Sequence, residues 1–510
     1  MSAYRTFAQL GQAIAALAGA SPTVCETFTL AQPSVEGAVI SGLHIHAGDA
    51  KGNRNGVLLL GGVHARELMN PEAIVDLAAD LLISYAQGTD ITYAVPGSIN
   101  AGPGSGPLGA TWGAGAIRMM LESLDIWMVP CSNPDGHDYV LSTDNLWRKN
   151  RRPEKGSCGD GTQPVGVDLN RNCAIVFGVI PSYGEVSCDP CDYQVYCGPA
   201  AFSEPESANI EKFLSDHPID TFADVHSYEQ LILYPWGHAP EQTTDPAENF
   251  TTLLTGTCSP IPDSSYREYI DPVDLIWFQF IGNQIASDVA KVRGSVYQVE
   301  SSFDLYPTTG TNPEYAYSRH IADQGAHKTY GWTIETGPYT GNVVESFQPS
   351  DPTKIILDIK AAMLSLLMQS VCAIEVIGTE PFGADAEAAE DQLVGLRAWR
   401  DALWQTDAGR AWLELYRQLH PTLLERIAGD EGFRSRIGEL VEMAVALADD
   451  PGSVLSDDHI RSGLAVIDDL AATSPEHLRI QLQTARALFQ TMSGFSAQAA
   501  LAVVAEQSPS

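Results

Sequence analysis

Two histidines and one glutamate, in two separate motifs, could together bind a metal ion. His64 and Glu67 lie three residues apart in GGVHARELMNPE, directly after an apolar run, and His226 ends a second such run, TFADVH. Imidazole nitrogens and a carboxylate oxygen suit zinc. Because sites in α/β sheets lie beyond the carboxyl ends of the strands, we expect the two motifs to meet there. Three protein ligands leave the fourth zinc position open for water, as in a catalytic metal site.

The third ligand has competitors elsewhere in the chain. A His-x-x-Glu pair is common by chance, and its ordinary interpretation is a surface histidine with a glutamate at a helix start. The metal hypothesis therefore depends on His226. Four other histidines could take its place, although none ends a strand-like run within such a motif: His44, His46, His137 and His238.

Glu335 could supply the base for a hydrolytic reaction. It ends the apolar run GWTIE. A carboxylate inside such a run is costly unless it has a partner, so it is more often functional or salt-bridged than idle. Next to a water molecule at the open zinc position, Glu335 would act as general base.

Basic residues cluster in one stretch of an otherwise acidic chain. Of the 29 lysines and arginines, six fall within 24 residues, and the cluster comprises five of these: Arg148, Lys149, Arg151, Arg152 and Arg171. Asn170 precedes the last of them. Guanidinium groups bind carboxylates through two parallel hydrogen bonds and also stabilise an oxyanion. Surface ion pairs are the alternative interpretation of the cluster.

An α/β domain is predicted to position these residues. Up to about residue 375, short apolar runs alternate with amphipathic stretches, with strands expected at residues 57–60, 124–130, 221–226 and 331–335. Asn70-Pro71 should cap and open a helix through about residue 85. Ser203 and Glu206 have the spacing of a capping box, which predicts a helix that ends near residue 217.

The character of the sequence changes from about residue 384. Lysine and cysteine are absent beyond this point, apolar residues recur at helical spacing, and Ser474-Pro475 has the form of a cap followed by a first-turn proline. We therefore expect a C-terminal all-α region over residues 379–510, apart from the domain formed by residues 1–378. A packing or solubility role would explain its apolar faces.

Overall charge excludes two classes of partner. With 29 Lys and Arg against 64 Asp and Glu, the net charge is −35. Nucleic-acid binding draws its affinity mainly from Lys and Arg, and anionic lipid attracts basic surfaces, so neither partner is expected. No apolar window of about 18 residues exists, so no membrane span is expected either.

The N-terminus and the cysteines bear on the compartment. The first 21 residues have apolar side chains at helical spacing, which favours an amphipathic helix over a signal peptide and a cytoplasmic location over secretion. Five of the nine cysteines lie within one 40-residue stretch that contains CDPC. A zinc ribbon would need a second such pair. One or two loop disulfides, or reduced thiols, are therefore the expectation.

Seven motifs occur in an order that resembles one family, the zinc metallocarboxypeptidases of the carboxypeptidase A-like, funnelin type. They span most of residues 4–375 and read HARE, NPDG, WRKNR, GVDLNRN, YCGPAAFSEPE, HSYEQLILYPWG and TIETG. The resemblance implies a mixed central sheet flanked by helices. It also implies one zinc ion per chain, bound by His64, Glu67 and His226, the ligand set for which carboxypeptidase A is a standard example.

The resemblance also implies roles for the remaining residues. Glu335 looks like the general base, and Arg148 resembles the residue that polarises the scissile carbonyl. Arg66 is similar to a subsite arginine. Asn170 and Arg171 match the pair that binds the free C-terminal carboxylate of the substrate, and Tyr297 looks like the mobile tyrosine that closes over it.

The implied function is hydrolysis of the C-terminal peptide bond of peptides or proteins. A peptidoglycan-stem or γ-glutamyl peptidase on the same scaffold, and a non-catalytic module that binds peptide tails, are the alternatives. Family-like sequence begins within the first ten residues, so no inhibitory pro-segment is expected. Cys173 stands where the family often has Trp. The floor of the side-chain pocket falls at Thr311, Asn312 or Pro313, which leaves the preferred terminal residue open, although Glu300 and Asp304 could favour a basic one.

Overall fold

The computed structural model describes residues 4–48, 54–97, 108–180, 185–261, 263–371 and, with short gaps, 406–508. Contacts between Cα atoms divide the chain into two units. The first comprises Met1–Gly48, Asn55–Trp112 and Leu124–Ser370, and the second comprises Asp49–Arg54, Gly113–Ser123 and Val371–Ser510. The boundary expected from the sequence, after residue 378, lies outside the described residues.

An eight-stranded mixed sheet forms the centre of the first unit. In spatial order, its strands are β1 (Cys25–Thr29), β2 (Ser41–Ile45), β6 (Leu124–Val129), β3 (Asn55–Gly61), β7 (Ile219–His226), β12 (Tyr330–Glu335), β8 (Leu231–Tyr234) and β11 (Gln298–Ser301). The pairs β6–β3, β3–β7 and β7–β12 are parallel, whereas β1–β2, β2–β6 and β12–β8 are antiparallel. The predicted mixed sheet and its four predicted strands are confirmed.

Two short ribbons and a set of helices complete the first unit. The ribbons pair β4 (Ile91–Tyr93) with β5 (Ala110–Trp112) and β9 (Glu241–Gln242) with β10 (Glu268–Tyr269). The helices are α1 (Phe7–Ala20), α2 (Met69–Gln87), α4 (Pro134–Ser142), α5 (Pro205–Asp216), α6 (Pro272–Arg293), α7 (Ser302–Leu305), α8 (Asn312–Ala322), α9 (Val343–Phe347) and α10 (Thr353–Ser370). α3 (Ala114–Ser123) belongs to the second unit.

β3 lies at the middle of the sheet and of the core. Its four central side chains, in the run VLLL, have no exposed surface, and both α2 and α10 contact the strand. A parallel strand covered on both faces has a continuous apolar run rather than an alternating one. This burial explains why the strand was recognisable in the sequence.

α2 is capped two residues earlier than predicted. The helix starts at Met69 with Leu68 in the N-cap position, so the prediction that Asn70 caps it is wrong. The Asn70 side chain instead donates to the carbonyl oxygen of Val225 at 3.0 Å and accepts from the hydroxyls of Ser227 and Thr336. Asn70 therefore ties the start of α2 to the carboxyl ends of β7 and β12.

α5 also starts without its predicted capping box. Glu204 occupies the N-cap position, and its side chain caps no backbone amide of the helix. The Ser203 hydroxyl donates to Glu204 at 2.7 Å, and Glu206 accepts from the backbone amide of Val35 at 3.0 Å. Glu206 thus binds a distant segment of the chain instead of the start of its own helix. The predicted end of the helix is confirmed, with His217 at the C-cap.

The predicted amphipathic N-terminal helix is confirmed as α1. Thr6 and Gln9 form a reciprocal capping box at its start, and its buried side chains are Leu10 and Ile14. None of the helices in the described part of the chain combines the length and the apolar character that crossing a bilayer requires.

The described residues of the second unit are mainly helical. Helical residues occur between positions 408 and 427, followed by α11 (Glu431–Asp449), α12 (Asp457–Thr473), α13 (Glu476–Gln490) and α14 (Ala497–Glu506). Pro475, rather than Ser474, is the N-cap of α13, because Ser474 closes α12. The apolar faces of these helices meet in a cluster that includes Leu447, Leu455, Ile460 and Met492.

Two disulfides link the loops of the first unit. Cys158 pairs with Cys191, and Cys188 pairs with Cys258, so the two cysteines of CDPC have different partners. The expectation of one or two loop disulfides is confirmed. Among the described residues, the free cysteines are all buried: Cys25, Cys131, Cys173 and Cys197.

Candidate metal centre

The carboxyl ends of three parallel strands bring the candidate residues together. His64 and Glu67 lie in the loop between β3 and α2, and His226 is the last residue of β7. Glu335 ends β12 and is paired in register with His226. The predicted meeting of the two metal-binding motifs at one edge of the sheet therefore occurs in the structure.

Three donors converge at this edge. Nδ1 of His64 lies 2.8 Å from Oε1 of Glu67 and 3.0 Å from Nδ1 of His226, and His226 Nδ1 lies 3.2 Å from Glu67 Oε2. All three side chains are buried. Ligand atoms bound tetrahedrally to zinc at about 2.0–2.2 Å lie roughly 3.3–3.6 Å apart. The donor set therefore suits a zinc ion, and the three ligand atoms, now 2.8–3.2 Å apart, would have to separate by a few tenths of an ångström to hold it.

Two aspartates lie behind the histidines. His64 Nε2 is 3.3 Å from Oδ1 of Asp168, and His226 Nε2 is 3.1 Å from Oδ2 of Asp224. A carboxylate behind a metal-binding imidazole fixes its tautomer, so that the other nitrogen presents its lone pair. Both aspartates lie within quoted motifs, GVDLNRN and FADVHSY, and were missed. A carboxylate two residues before a candidate ligand was a usable signal for Asp224.

The charges of this group depend on one another. Burial raises the pKa of Glu67, but His64 and His226 more than offset this and hold it far below its ordinary value. Burial likewise raises the pKa of Asp168, yet Arg148, Arg171 and His64 hold it well below the usual range. Burial lowers the pKa of His64, as does Arg148. At neutral pH both carboxylates are therefore charged and His64 is neutral, whereas Asp224 and Glu67 outweigh burial and raise the pKa of His226, which must lose its proton to bind a metal.

Glu335 is a buried carboxyl next to this cluster. Burial, together with Glu67 and Asp224, raises its pKa to about 8, against the opposing effects of His226 and Arg148. Its Oε2 atom has no hydrogen-bond partner among the described residues. The group can therefore hold or release a proton close to neutral pH.

Arg148 and Arg171 are buried on the same side of the cluster and share Asp168. Arg148 donates from Nε to Asp168 Oδ2 at 2.9 Å, and Arg171 Nε lies 4.0 Å from the same oxygen. Arg171 also donates to the carbonyl oxygens of Asn170 and Glu185. In both arginines, Nη2 is buried without a hydrogen-bond partner in the described part of the chain. These two donors are available to an anionic group.

Arg66 and Asn170 complete the set of polar residues predicted from the sequence. Arg66 donates from Nη1 to Gln194 at 2.8 Å, and burial together with Arg148 lowers its pKa to about 10. Asn170 Oδ1 accepts from the backbone amide of Asn312 at 2.9 Å. The amide group of Asn170 is thereby held beside Arg171.

Tyr297 and Tyr306 occupy different surroundings. Tyr297 is buried, and its hydroxyl accepts from the backbone amide of Gly337 at 3.3 Å. Tyr306 is only partly buried, and its ring centroid lies 5.9 Å from the guanidinium carbon of Arg171. It also interacts electrostatically with Arg148. The structure thus brings Tyr306, rather than Tyr297, close to the arginines. The sequence analysis did not consider Tyr306, although it lies in the same segment, nine residues after Tyr297.

The three candidates for the pocket floor precede a buried glutamate that the sequence analysis overlooked. Asn312 is held by its side-chain hydrogen bonds to Asp224 and Cys173. Glu314 is almost fully buried, and neither carboxylate oxygen has a hydrogen-bond partner of good geometry among the described residues, although the Thr311 side chain and the Gly237 backbone lie close enough to lower its pKa. A Cβ atom on Gly237 would collide with its Oε1, so the carboxylate lies directly against that backbone.

Burial raises the pKa of Glu314 to about 7, and the nearby His238 and Arg171 oppose the shift. Asp304, one of the two acids considered for a basic preference, is exposed, and Glu300 is partly buried. Of Glu300, Asp304 and Glu314, it is therefore Glu314 that is buried and whose pKa Arg171 influences.

Known proteins resemble this chain over its first unit. The model of the zinc carboxypeptidase family matches residues 10–355. Carboxypeptidase A4 of Mus musculus is 27% identical over 292 residues, which cover 56% of this chain and 52% of that protein. Metallocarboxypeptidase A of Trichophyton tonsurans is 30% identical over 268 residues, which cover 52% of this chain and 56% of that protein. The chain thus spans about half the length of the curated relatives it matches.

Solved structures agree with the fold. Thrombin-activatable fibrinolysis inhibitor aligns with a TM-score of 0.52 at 19% sequence identity, covering 71% of this chain and 73% of that one. The bovine protein, in complex with tick carboxypeptidase inhibitor, aligns with a TM-score of 0.50 at 19% identity, covering 72% and 97%. The mixed sheet with its flanking helices is therefore a carboxypeptidase-like fold.

Proposed function

The chain belongs to the zinc carboxypeptidase family, and from that premise we propose that it hydrolyses the C-terminal peptide bond of peptides or proteins. The observation that carries the proposal is the convergence of His64, Glu67 and His226 next to Glu335. In the described residues, the same edge of the sheet also holds two arginines that each keep a buried donor without a partner.

His64, Glu67 and His226 would hold one zinc ion. When bound, zinc would activate a water molecule for attack and polarise the scissile carbonyl. Glu335 would accept the proton of that water and deliver it to the leaving amine, since its carboxyl lies beside the cluster with a pKa near neutrality. Asp168 and Asp224 would hold the two imidazoles in the required tautomers.

Two arginines would bind the two negatively charged parts of the reacting peptide. Arg148, next to the cluster, would donate to the oxyanion that develops on the scissile carbonyl. Arg171 and Asn170 would bind the terminal carboxylate, because a guanidinium matches a carboxylate through parallel hydrogen bonds. This pair makes the cut exopeptidic, since only a free chain end satisfies it. Arg66 would contact the peptide further from its end.

Tyr306, rather than Tyr297, would close over the bound chain end. Its partly buried ring lies near Arg171, whereas the hydroxyl of Tyr297 is already occupied by Gly337. A tyrosine at this position can donate to the terminal carboxylate or to the leaving amine.

The preferred terminal residue would be Lys or Arg. A buried carboxylate without a well-formed hydrogen bond or a paired cation is costly, and a substrate cation would supply the missing charge. Glu314 is such a group, and Arg171, which would hold the substrate's chain end, is near enough to influence its pKa. The net charge of −35 also attracts basic peptides.

Digestion of a peptide library by the zinc-loaded full chain, read by mass spectrometry, tests the proposal. We expect stepwise loss of single C-terminal residues, with Lys and Arg lost first, and no cleavage of amidated peptides or after chelation of zinc. Glu335→Gln should lower kcat by about 10²–10⁴-fold while zinc is still bound. Hydrolysis of γ-linked or peptidoglycan-stem peptides in preference to ordinary peptides would favour the alternative substrate. Peptide binding without any turnover would favour the non-catalytic alternative.

A further inference from the structure

A second group of metal-ligating side chains lies at the β1 edge of the sheet, five strands away from β12. In the described residues, Glu26, His44 and His46 each offer one ligand atom within 4.8 Å of the other two. Glu26 belongs to β1, the edge strand, and His44 to β2. None of the three belongs to the candidate metal centre described above.

The strand geometry turns the three side chains to one face. Residues two apart on an extended chain project to the same side, which places His46 beside His44. Glu26 and His44 are directly opposite each other in the antiparallel ladder, where facing side chains lie close enough to interact. The ring centroids of the two histidines are 4.5 Å apart, and His44 Nδ1 lies 3.2 Å from Glu26 Oε1.

His44 is fixed in the orientation that a ligand needs. Its ring stacks on Trp127 of β6 with centroids 3.6 Å apart and an interplanar angle of 1°. Its Nε2 atom lies 3.1 Å from Oδ1 of Asp125. A carboxylate on one imidazole nitrogen fixes the proton there, so that the lone pair of Nδ1 faces Glu26. The same carboxylate–imidazole arrangement occurs at His64 and Asp168 in the candidate centre.

We propose that Glu26, His44 and His46 form a second site for a divalent transition-metal ion such as Zn²⁺, distinct from the candidate metal centre. An ion bound at this second site would join the edge strand β1 to β2. Two imidazoles and one carboxylate are a donor set that Zn²⁺ and Cu²⁺ accept and Ca²⁺ and Mg²⁺ disfavour. Partial exposure of the three side chains leaves the remaining positions to water. Asp125 is a positioning residue, because it acts through His44.

A bound ion would give the edge strand a second attachment. An exposed edge strand is held by hydrogen bonds on one side only and is the part of a sheet that frays or pairs with other chains. A ligand contributed by β1 and two contributed by β2 and its following residue would cross-link the two strands. We therefore expect metal binding here to raise Tm independently of the candidate metal centre.

Titration of the metal-free full chain with Zn²⁺ alone, followed by calorimetry, tests the site. The wild type should bind two equivalents. His46→Gln and Glu26→Gln should each remove or weaken one of them by at least about tenfold, because each deletes one of three protein ligands. Glu26 is exposed, so its variant also serves if the histidine variant folds poorly. Asp125→Asn should raise Kd by about 10–100-fold and leave the stoichiometry unchanged.

A matched control and a second variant separate this site from the candidate centre. His327 is also paired with a carboxylate, Asp220, at 3.0 Å, but it belongs to no cluster of three donors in the described residues. His327→Gln should therefore bind two equivalents. His64→Gln should lose the other equivalent and still show a rise in Tm with Zn²⁺, which the double variant with His46→Gln should not show.

Two results would overturn the proposal. One is a wild type that binds a single equivalent, lost in His64→Gln and kept in His46→Gln, which leaves the proposed function intact. The other is a second equivalent that survives both Glu26→Gln and His46→Gln. A wild type that binds zinc at Glu26, His44 and His46 but not at His64, Glu67 and His226 would instead count against the proposed function.

Discussion

At the scale of single residues, Arg148 and Arg171 have similar environments and different proposed tasks. Both are buried, both are near Asp168, and both keep Nη2 without a partner among the described residues. Their second contacts differ, since Asn170 adjoins Arg171 whereas Arg148 lies near enough to His64 to add to the effect of burial in lowering the pKa of that imidazole. Kinetics can separate the two tasks, because a group used only in the transition state changes kcat.

Lysine substitutions should separate the two arginines. Arg148→Lys should lower kcat by about 10²–10³-fold with little change in KM, as for loss of one oxyanion donor. Arg171→Lys should raise KM by about 10–100-fold, since a charge-assisted pair is worth roughly 1.5–3 kcal/mol. Steady-state kinetics on one C-terminal lysine peptide would measure both. Arg152→Lys, in the same basic cluster but paired with Glu204, is the control, and equal effects of all three would contradict the assignment.

Glu314→Gln should abolish the preference for a basic terminal residue. We expect kcat/KM for a lysine-ended peptide to fall about 10²-fold, because the cation would face a neutral amide, while a leucine-ended peptide is cleaved at least as well as before. Glu300→Gln is the matched control on the neighbouring segment. An unchanged ratio of the two kcat/KM values would exclude Glu314 as the selecting residue.

The same residue predicts a pH dependence of specificity. Burial raises the pKa of Glu314 to about 7, so the carboxylate that attracts a cation is present above this pH and neutralised below it. The ratio of kcat/KM for lysine-ended to leucine-ended peptides should therefore fall as the pH drops from 8 to 6, whatever the common pH profile of the reaction. A ratio that is flat over this range in the wild type would count against the carboxylate.

At the scale of elements, long-range hydrogen bonds to Glu204 and Glu206 anchor the start of α5. The capping-box spacing predicted only a local bond for Glu206. Asn150 donates from Nδ2 to both Glu204 and Glu206, at 2.8 and 3.2 Å, and Arg152 donates to Glu204 at 2.6 Å. Burial, together with the charge of Glu204, raises the pKa of Glu206 to about 7, against hydrogen bonds from Val35 and Asn150. The N-terminus of α5 is thus attached to the segment that carries Arg148.

Glu206→Gln should change how stability depends on pH. Between its ordinary pKa of 4.5 and about 7, Glu206 binds a proton in the folded state and not in the unfolded state. The free energy of unfolding therefore falls as the pH rises through this window. A Gln side chain does not titrate, so the variant should gain up to about 3 kcal/mol relative to wild type between pH 4.5 and 8. Denaturant unfolding at both pH values measures this, with Glu211→Gln on the same helix as control, and parallel losses in wild type and variant would contradict it.

At the scale of the whole molecule, the net charge of the chain and the charge of its proposed carboxylate-binding site have opposite signs. The chain carries −35, yet its proposed binding site for the chain end is built around a cation, Arg171. The long-range field attracts a basic peptide, and the short-range guanidinium donors orient its terminal carboxylate. The two effects differ in range and hence in sensitivity to salt.

Raising the ionic strength should therefore slow the capture of basic peptides selectively. Between about 0.01 and 0.5 M salt, the Debye length falls from about 30 Å to a few ångströms. We expect kcat/KM for lysine-rich peptides to fall by about tenfold or more, and that for neutral peptides of the same length to change little. Stopped assays at matched pH would measure this, and equal salt effects on both peptide classes would exclude long-range steering.

The sequence by itself determined the elements that depend on local pattern. β3 was predicted from a continuous apolar run, as expected for a strand buried on both faces, and β6, β7 and β12 were predicted from shorter apolar stretches interrupted by polar residues. His64, Glu67, His226 and Glu335 were recognisable because each directly follows or ends such a run. Parallel pairing then brings the strand ends together, and this alone accounts for the convergence.

Only the tertiary structure decided which partners each polar group meets. Asn70 does not cap α2 because its side chain binds two strand ends. Tyr306, rather than Tyr297, lies near Arg171, and the carboxylate of Glu314 lies against the backbone of Gly237. Each outcome involves segments far apart in the sequence, and a buried polar group takes whichever partner the packing supplies. Local rules specify where helices and strands form, whereas long-range packing determines the surroundings, charge and accessibility of each side chain.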